Sequence, residues 1–208
     1  MPESITRFLS HVDPTEILGF LTGAVCVWLL VKQNIWTWPV GIANNVFFIV
    51  LFFHSKLYGD MSLQFVFIAI SIYGWWNWLH GGKDDAELKI ARTGSTMSVI
   101  LLLATAGATA AIDWFLRHFT PSTTPFLDAL TTALSLTAIF MQSRKLIENW
   151  VIWILADLFY LGLYTYKGLY FTTALYVIFM IMCGIGLMEW RRAYATEHTI
   201  GGGLEATA

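Results

Sequence analysis

The chain has 208 residues, of which 57% are hydrophobic, 16% aromatic and 12% charged, and its net charge is −2. Soluble domains carry charged residues at about 25% of positions. This composition, with a mean hydropathy of +0.62, excludes a soluble globular domain and indicates an integral membrane protein. We therefore expect a lipid bilayer as its surroundings and no nucleic-acid partner.

Seven apolar segments occur along the chain, and each is predicted to be a transmembrane helix. Their predicted bounds are residues 14–31, 38–53, 61–79, 97–116, 125–141, 149–166 and 169–190. A short polar turn is predicted at 54–60, a solvated charged loop facing anionic lipid at 83–92, and a turn at 121–125. The glycine-rich end at 201–205 resembles a vector-derived remnant and is excluded from the fold prediction.

The basic residues predict an orientation, because cytoplasmic loops are enriched in Lys and Arg. With seven spans, the side of the N-terminus holds four of the twelve: Arg7, Lys56, Arg117 and Lys167. The opposite side holds the other eight: Lys32, Lys83, Lys89, Arg92, Arg144, Lys145, Arg191 and Arg192. The sequence therefore predicts an external N-terminus and a cytoplasmic C-terminus.

The chain also repeats itself at an offset of 112 residues. Between positions 32 and 78, eleven of 47 pairs are identical, among them Trp38 with Trp150 and Gly74 with Gly186. Spans one to three thus recur as spans five to seven, and one intervening span makes the two triplets run in the same direction. The predicted units are a first triplet at 14–79, a loop and linker helix at 80–118, a second triplet at 125–190 and a cytoplasmic tail at 191–208.

The sixth span carries an unusual stripe. Trp150, Trp153, Asp157, Tyr160 and Tyr164 follow one another at steps of three or four residues, which places them on one helical face. A carboxylate at the centre of a membrane helix costs about 2.5–3.5 kcal/mol on insertion scales. A carboxylate among indoles and phenols favours a pocket for a flat, cationic ligand.

Polar residues of other spans extend this candidate pocket. Asn45 is the repeat mate of Asp157, and both lie roughly 10 Å inside the membrane at about 1.5 Å per residue. The predicted substrate-binding residues are Trp150, Trp153, Asp157, Tyr160, Asn44, Asn45, Gln64 and Tyr176. The alternative is that the polar groups only join neighbouring helices, at about 0.6 kcal/mol each. For Trp36, Trp75, Trp78, Trp114 and Trp190, an interfacial aromatic belt is the favoured role.

The spans lack the residues that several other functions would need. They contain no Lys or Arg before the end of the fourth span, so a neutral or cationic substrate is favoured over a phosphate or carboxylate. No Gly-rich phosphate loop is present. Asp157 has no deep carboxylate counterpart, which disfavours an intramembrane enzyme. The two cysteines have no metal-ligand spacing, so neither a metal nor a cofactor is expected.

In these residues the chain resembles the PnuC family of nicotinamide riboside transporters. The motifs are W-P-V-G-I at 38–42, L-Y-G-D at 57–60 followed by Gln64, Y-G-W-W at 73–76 and E-N-W-x-x-W-x-x-x-D at 148–157. The resemblance implies three helices, a linking helix and three helices, related to the SWEET sugar transporters. It also implies facilitated uptake of unphosphorylated nicotinamide riboside across the bacterial inner membrane, with a cytosolic kinase that phosphorylates and traps the substrate.

The residues themselves leave alternatives open. Thiamine and riboflavin are also flat and aromatic, and a sugar would suit the amides. A receptor that binds without transport is a different class of function, distinguished by saturable binding with no flux. The exposed aromatic faces would also permit a homo-oligomer.

Overall fold

A computed structural model describes residues 14–54, 58–166, 168 and 170–205. These residues form seven α-helices and one short 3-10 turn at Lys83–Asp85. The helices are α1 (Pro14–Val31), α2 (Thr37–His54), α3 (Tyr58–His80), α4 (Ser95–Phe119), α5 (Pro125–Ser143), α6 (Asn149–Tyr166) and α7 (Tyr170–Glu205). The only pairing of extended backbone among them is an isolated bridge between Ala91 and Leu146.

The predicted helices agree closely with these elements. The first and sixth have the predicted bounds, and the others differ by at most three residues except at the end of α7. There the predicted tail is helical through Glu205. Part of the turn predicted at 54–60, residues 55–57, lies outside the described residues. Among the described residues, four helical segments are long and apolar enough to cross a membrane: Thr37–His54, Ser95–Phe119, Pro125–Ser143 and Thr172–Glu197.

Six of the helices pack into a closed ring. Around it, α1 contacts α2, α2 contacts α3, α3 contacts α5, α5 contacts α6, α6 contacts α7, and α7 returns to α1. Helix α4 lies outside the ring against α5, where the Thr105 and Thr137 hydroxyls are 2.7 Å apart. We call α1–α3 the first triplet and α5–α7 the second triplet.

The turns that follow α1 and α5 have the same backbone conformation. Gln33 and Lys145 both adopt positive φ, at 53° and 48°, which is uncommon for residues other than glycine. In the first turn the amide of Asn34 donates to Leu29 O at 2.8 Å, and in the second Leu146 donates to Met141 O at 3.0 Å. Each pair of equivalent residues is 112 positions apart.

Four tryptophans form the core at the end of the ring where α1, α3 and α5 finish. Trp38, Trp78, Trp150 and Trp190 are all at most 2% exposed. The distance between ring centroids is 5.4 Å for Trp38 and Trp78, 6.0 Å for Trp78 and Trp190, and 5.5 Å for Trp190 and Trp150. The expected belt role was therefore wrong for Trp78 and Trp190, whereas Trp36, Trp75 and Trp114 are exposed.

Two of these indoles join the triplets. Trp78 of α3 donates its Nε1–H to Gln142 O of α5 at 3.0 Å, and Trp190 of α7 donates to Leu30 O of α1 at 3.2 Å. Each triplet thus ends in an indole that is hydrogen-bonded to the first helix of the other triplet. A buried indole N–H usually has such a partner.

The loop between α3 and α4 is a second contact between triplets. Residues 87–93, which we call the strap, form two backbone hydrogen bonds with the α5–α6 turn through Ala91. The Ala91 amide donates to Lys145 O, and the Ala91 carbonyl accepts from the amide of Ile147, each at 3.0 Å. Glu87 bonds Lys145 at 2.9 Å, and Lys145 Nζ lies 4.6 Å from the centre of the Trp78 ring. Most side chains of the charged loop at 83–92 are exposed, as predicted, whereas the docking of its backbone on the α5–α6 turn was not predicted.

The packing predicts that positions 74 and 186 must be glycine, because any side chain there would meet a tryptophan ring. A Cβ on Gly74 would collide with the Trp38 ring, and one on Gly186 would collide with Trp150. Overpacking of this kind costs about 1–3 kcal/mol. We expect Gly74→Ala and Gly186→Ala to lower the thermal midpoint of the purified protein, measured by circular dichroism in detergent.

The matched control is Gly107→Ala in α4, since no atom lies within 4 Å of a Cβ added at that position. It should leave the midpoint unchanged or raise it, because alanine is the better helix former by about 1 kcal/mol. Unchanged midpoints for both core variants would contradict the packing described for the two indoles.

Candidate functional site

The ring of six helices encloses a cavity of about 360 Å³. Its lining comes from α1, α2, α3, α5, α6 and α7, and no described residue of α4 contributes. Pockets for small organic molecules typically range from about 300 to 1,000 Å³. The cavity therefore has the size and the position, between the two triplets, that a small-molecule site requires.

All eight residues predicted to bind a substrate line this cavity. They are Asn44 and Asn45 from α2, Gln64 from α3, Trp150, Trp153, Asp157 and Tyr160 from α6, and Tyr176 from α7. Tyr164, the last member of the α6 stripe, is not among the lining residues. The structure thus brings the predicted set together, and its role in binding remains a prediction.

The wall formed by α6 carries a buried carboxylate. Asp157 is 5% exposed, and within the described part of the chain its one hydrogen-bonding neighbour is Cys183, whose Sγ lies 3.7 Å from Oδ2. A thiol is a weak donor, so this carboxyl group retains most of its bonding capacity. One turn away on the same face, Trp153 donates its Nε1–H to Gln142 Oε1 at 3.3 Å.

The two repeat-related tryptophans form the floor of the cavity. Trp38 and Trp150 both line it, and both rings are packed by their neighbours, with Trp150 at 0% exposure. Trp150 therefore offers no open ring face to a ligand. The indole N–H of each lacks a partner among the described residues. A buried donor of this kind is usually met by water or a ligand.

Tyrosines close another side of the cavity. The ring of Tyr176 lies 4.9 Å from that of Tyr160 and 5.2 Å from that of Tyr164, and Tyr160 stacks on Tyr164 at 5.8 Å. Phe179 meets Tyr176 edge-on at 5.9 Å. Aromatic pairs at these distances add about 0.5–1.5 kcal/mol of stability beyond that of burial. The cluster therefore forms a well-packed aromatic wall of the cavity.

The amides of the first triplet lie across the cavity and differ in how they are engaged. Asn44 accepts from the Thr22 hydroxyl at 2.8 Å, which joins α1 to α2 and fits the helix-joining alternative. Asn45 and Gln64 make no hydrogen bond to another described residue. Their amides can both donate to and accept from a bound molecule.

Several lining residues were not predicted from the sequence. The fifth span was predicted to end at residue 141, so Gln142 fell outside it, yet its side chain accepts a hydrogen bond from Trp153. Cys183 was predicted to have no metal-binding role and Ser71 was not among the predicted site residues, although both are buried in the lining and lie 112 positions apart. Phe48, Phe67 and Phe179 also line the cavity. The offset of 112 was the available signal, because it pairs Ser71 with Cys183 and Phe67 with Phe179.

Within the described residues, no three His, Cys, Asp or Glu side chains are grouped as metal ligands would be. The cavity is instead a mixture of aromatic rings, amides, hydroxyls and one carboxylate. Such a lining can bind a flat organic molecule through its rings and orient it by a few polar groups.

Comparison with known proteins identifies relatives over nearly the whole chain. Residues 13–192 match the family model described as nicotinamide mononucleotide transporter. The riboflavin/roseoflavin transporter RibM of Streptomyces davaonensis is 28% identical over 193 residues, covering 90% of this chain and 89% of RibM. The nicotinamide riboside transporter PnuC of Escherichia coli K12 is 26% identical over 200 residues, covering 84% of both chains.

A solved structure, described as the crystal structure of the vitamin B3 transporter PnuC, has the same fold. It matches with a TM-score of 0.69 at 20% sequence identity, covering 91% of this chain and 86% of that chain. The family and these relatives are transporters and not enzymes, as the sequence predicts. The chain is a multi-pass membrane transporter that belongs to the PnuC family, whose matching family model is described as nicotinamide mononucleotide transporter.

Proposed function

We propose that the protein carries unphosphorylated nicotinamide riboside across the bacterial inner membrane by facilitated diffusion. In this proposal a cytosolic nicotinamide riboside kinase phosphorylates the substrate after entry and thereby traps it. The named activity of the PnuC relative supports this choice. The lining of the cavity supports it independently.

The observation that carries the proposal is the buried carboxyl group of Asp157 in an aromatic cavity, where its one hydrogen-bonding neighbour among the described residues is a thiol. Nicotinamide riboside has a flat pyridinium ring with a positive charge and a ribose with hydroxyl groups. A carboxylate is attracted to that charge, and an indole face near the ring adds about 0.5–2 kcal/mol. Trp153, one turn from Asp157, is the proposed stacking partner.

The amides suit the other end of this substrate. Asn45 and Gln64 lie across the cavity from α6 without partners in the described part of the chain. Ribose hydroxyls donate and accept, as amides do. We assign Asn45 and Gln64 to the ribose, Trp153 and Asp157 to the pyridinium, and Trp150, Tyr160, Tyr176 and Asn44 to the surrounding walls.

The proposed architecture is three helices, a linker helix and three helices, related to the SWEET transporters, with all seven helices crossing the membrane. Its units are the predicted ones, 14–79, 80–118, 125–190 and 191–208. The equivalent turns at Gln33 and Lys145 support a parallel repeat, as do the reciprocal bonds of Trp78 and Trp190. Alternating access then follows from rocking of one triplet against the other about the cavity.

The proposed orientation has the N-terminus outside and the C-terminus in the cytoplasm. The strap contacts the α5–α6 turn, so Lys89, Arg92, Arg144 and Lys145 share one end of the ring. This cluster of basic residues supports assigning that end to the cytoplasm by the positive-inside rule. Substrate released there meets the kinase. Exposed apolar side chains outside the ring face lipid and would also permit a homo-oligomer.

Riboflavin is the second candidate substrate, because RibM matches a larger share of this chain than PnuC does. Its isoalloxazine ring is flat but uncharged, so Asp157 would gain no opposite charge. Thiamine is cationic and aromatic, and a sugar would use only the amides. A receptor would bind ligand in the cavity without flux into vesicles.

A double variant tests the site. We expect Trp153→Ala with Asp157→Asn to reduce the initial uptake of labelled nicotinamide riboside into proteoliposomes by at least about tenfold. Losing a stacked ring and the attraction between the carboxylate and the pyridinium charge removes more than about 1.4 kcal/mol of binding. The measurement is uptake per reconstituted protein.

The chain offers a control with the same two substitutions, Trp114→Ala with Asp113→Asn. Both residues lie on α4, which does not line the cavity, and Trp114 is 57% exposed. Asp113 pairs with Arg117 at 2.8 Å near the end of that helix. The control should retain parental uptake. Parental uptake by the Trp153 and Asp157 variant would eliminate the site assignment.

Competition identifies the substrate. We expect excess unlabelled nicotinamide riboside to abolish labelled uptake, and riboflavin or glucose to leave it nearly intact, because only a cation gains from Asp157. Asp157→Asn should reduce the preference for nicotinamide riboside over riboflavin. Stronger competition by riboflavin than by nicotinamide riboside would replace the first candidate with the second.

A further inference from the structure

A second cavity, of about 290 Å³, lies apart from the first, between the strap, the start of α4 and the α5–α6 turn. Its lining includes Arg92 of the strap and Arg144 of the turn, together with Asn77, Thr93 and Gly94. None of these residues lines the ring cavity. The proposed transport of nicotinamide riboside makes no use of this second cavity.

The two arginines bring unneutralised charge to one place. Neither forms an ion pair with a carboxylate among the described residues. Arg92 instead lies over the Tyr194 ring at 5.7 Å, and Arg144 over the Phe140 ring at 5.5 Å. A ring face positions a guanidinium without satisfying its N–H donors, which remain available for an anion.

The neighbouring groups partly balance this charge without removing it. Lys145 is already paired with Glu87, at 2.9 Å. No Asp or Glu is among the described residues that line this cavity. Glu148 bonds one lining residue, since its Oε2 accepts from both the amide and the hydroxyl of Thr93, at 2.8 and 2.7 Å. Two arginines against one engaged carboxylate leave the site cationic.

The start of α4 adds donors on the same side. Gly94 is the N-cap residue and supplies no side-chain hydrogen bond, so the first amides of the helix lack a cap. Free amides and the helix dipole favour an anion at such a position. Two guanidinium forks beside them match the oxygen geometry of a phosphate group.

We propose that this second cavity is a phosphate-binding site, in which Arg92 and Arg144 hold a phosphate group against the start of α4. The group belongs either to the headgroup of an anionic lipid or to a free phosphorylated solute. Arg92 lies on the strap and Arg144 on the turn it contacts. A bound phosphate would therefore strengthen the contact between the triplets at this end of the ring.

The test measures binding to the full-length protein in two arms. Inorganic pyrophosphate is titrated against protein in a neutral detergent, followed by calorimetry. Separately, native mass spectrometry counts phosphatidylglycerol retained after extraction from phosphatidylglycerol-containing vesicles, with phosphatidylcholine vesicles as reference. Binding in the first arm identifies a free phosphorylated solute, and selective retention in the second identifies a lipid headgroup.

In whichever arm shows binding, we expect Arg92→Gln with Arg144→Gln to weaken the affinity by at least about tenfold, the equivalent of one lost charge-assisted hydrogen bond. The control with single charge removal is Arg191→Gln, an exposed residue of α7 outside the cavity lining. It should change binding less than about twofold. Arg92→Lys with Arg144→Lys keeps the charge and should retain intermediate affinity, which separates binding from misfolding.

Three results would overturn the proposal. The first is an absence of binding in both arms with the parental protein. The second is an equal loss for Arg191→Gln and the double glutamine variant, which would indicate a general charge effect. The third is parental affinity in the double glutamine variant with an unchanged thermal midpoint.

Discussion

The structure depends on the reciprocal hydrogen bonds of two buried tryptophans. Trp78 ends the first triplet and bonds α5, and Trp190 lies at the equivalent place in the second triplet and bonds α1. Each bond crosses between triplets at one of the two helix pairs, α3–α5 and α1–α7, whose packing closes the six helices into a ring. The cavity lies inside this ring, between the two triplets.

The same core explains why the cavity has a floor. Trp38 and Trp150 pack between the closing indoles and the space above, each against a glycine of its own triplet. Large rings fit here only because Gly74 and Gly186 have no side chain. The two triplets thus have identical residues at equivalent positions of this core. Their residues differ at the positions proposed to bind the ligand, such as Asn45 and Asp157.

Much of the fold could be predicted from the sequence. Apolar length and flanking polar residues define the helices, and the offset of 112 relates the Trp, Gly and Asn–Asp positions from sequence alone. The residues of the α6 stripe could be grouped because helical spacing decides which side chains share a face.

Other features could not be read from the pattern. Hydropathy does not separate an indole in the interfacial region from one packed between helices, so Trp78 and Trp190 were misassigned. The strap is charged and polar in sequence, and its docking depends on backbone bonds between residues far apart in the chain. Gln142 was missed for a similar reason, since its importance arises from a tertiary contact with Trp153.

The central claim is that the cavity between the triplets binds nicotinamide riboside, with its charged ring at α6 and its ribose towards α2 and α3. A structure determined with nicotinamide riboside bound tests this most directly. The account predicts ligand density inside the ring, with the pyridinium against Trp153 and near Asp157, and the ribose within hydrogen-bonding distance of Asn45 or Gln64. Density outside the ring, or an empty cavity at a saturating concentration of nicotinamide riboside, would contradict it.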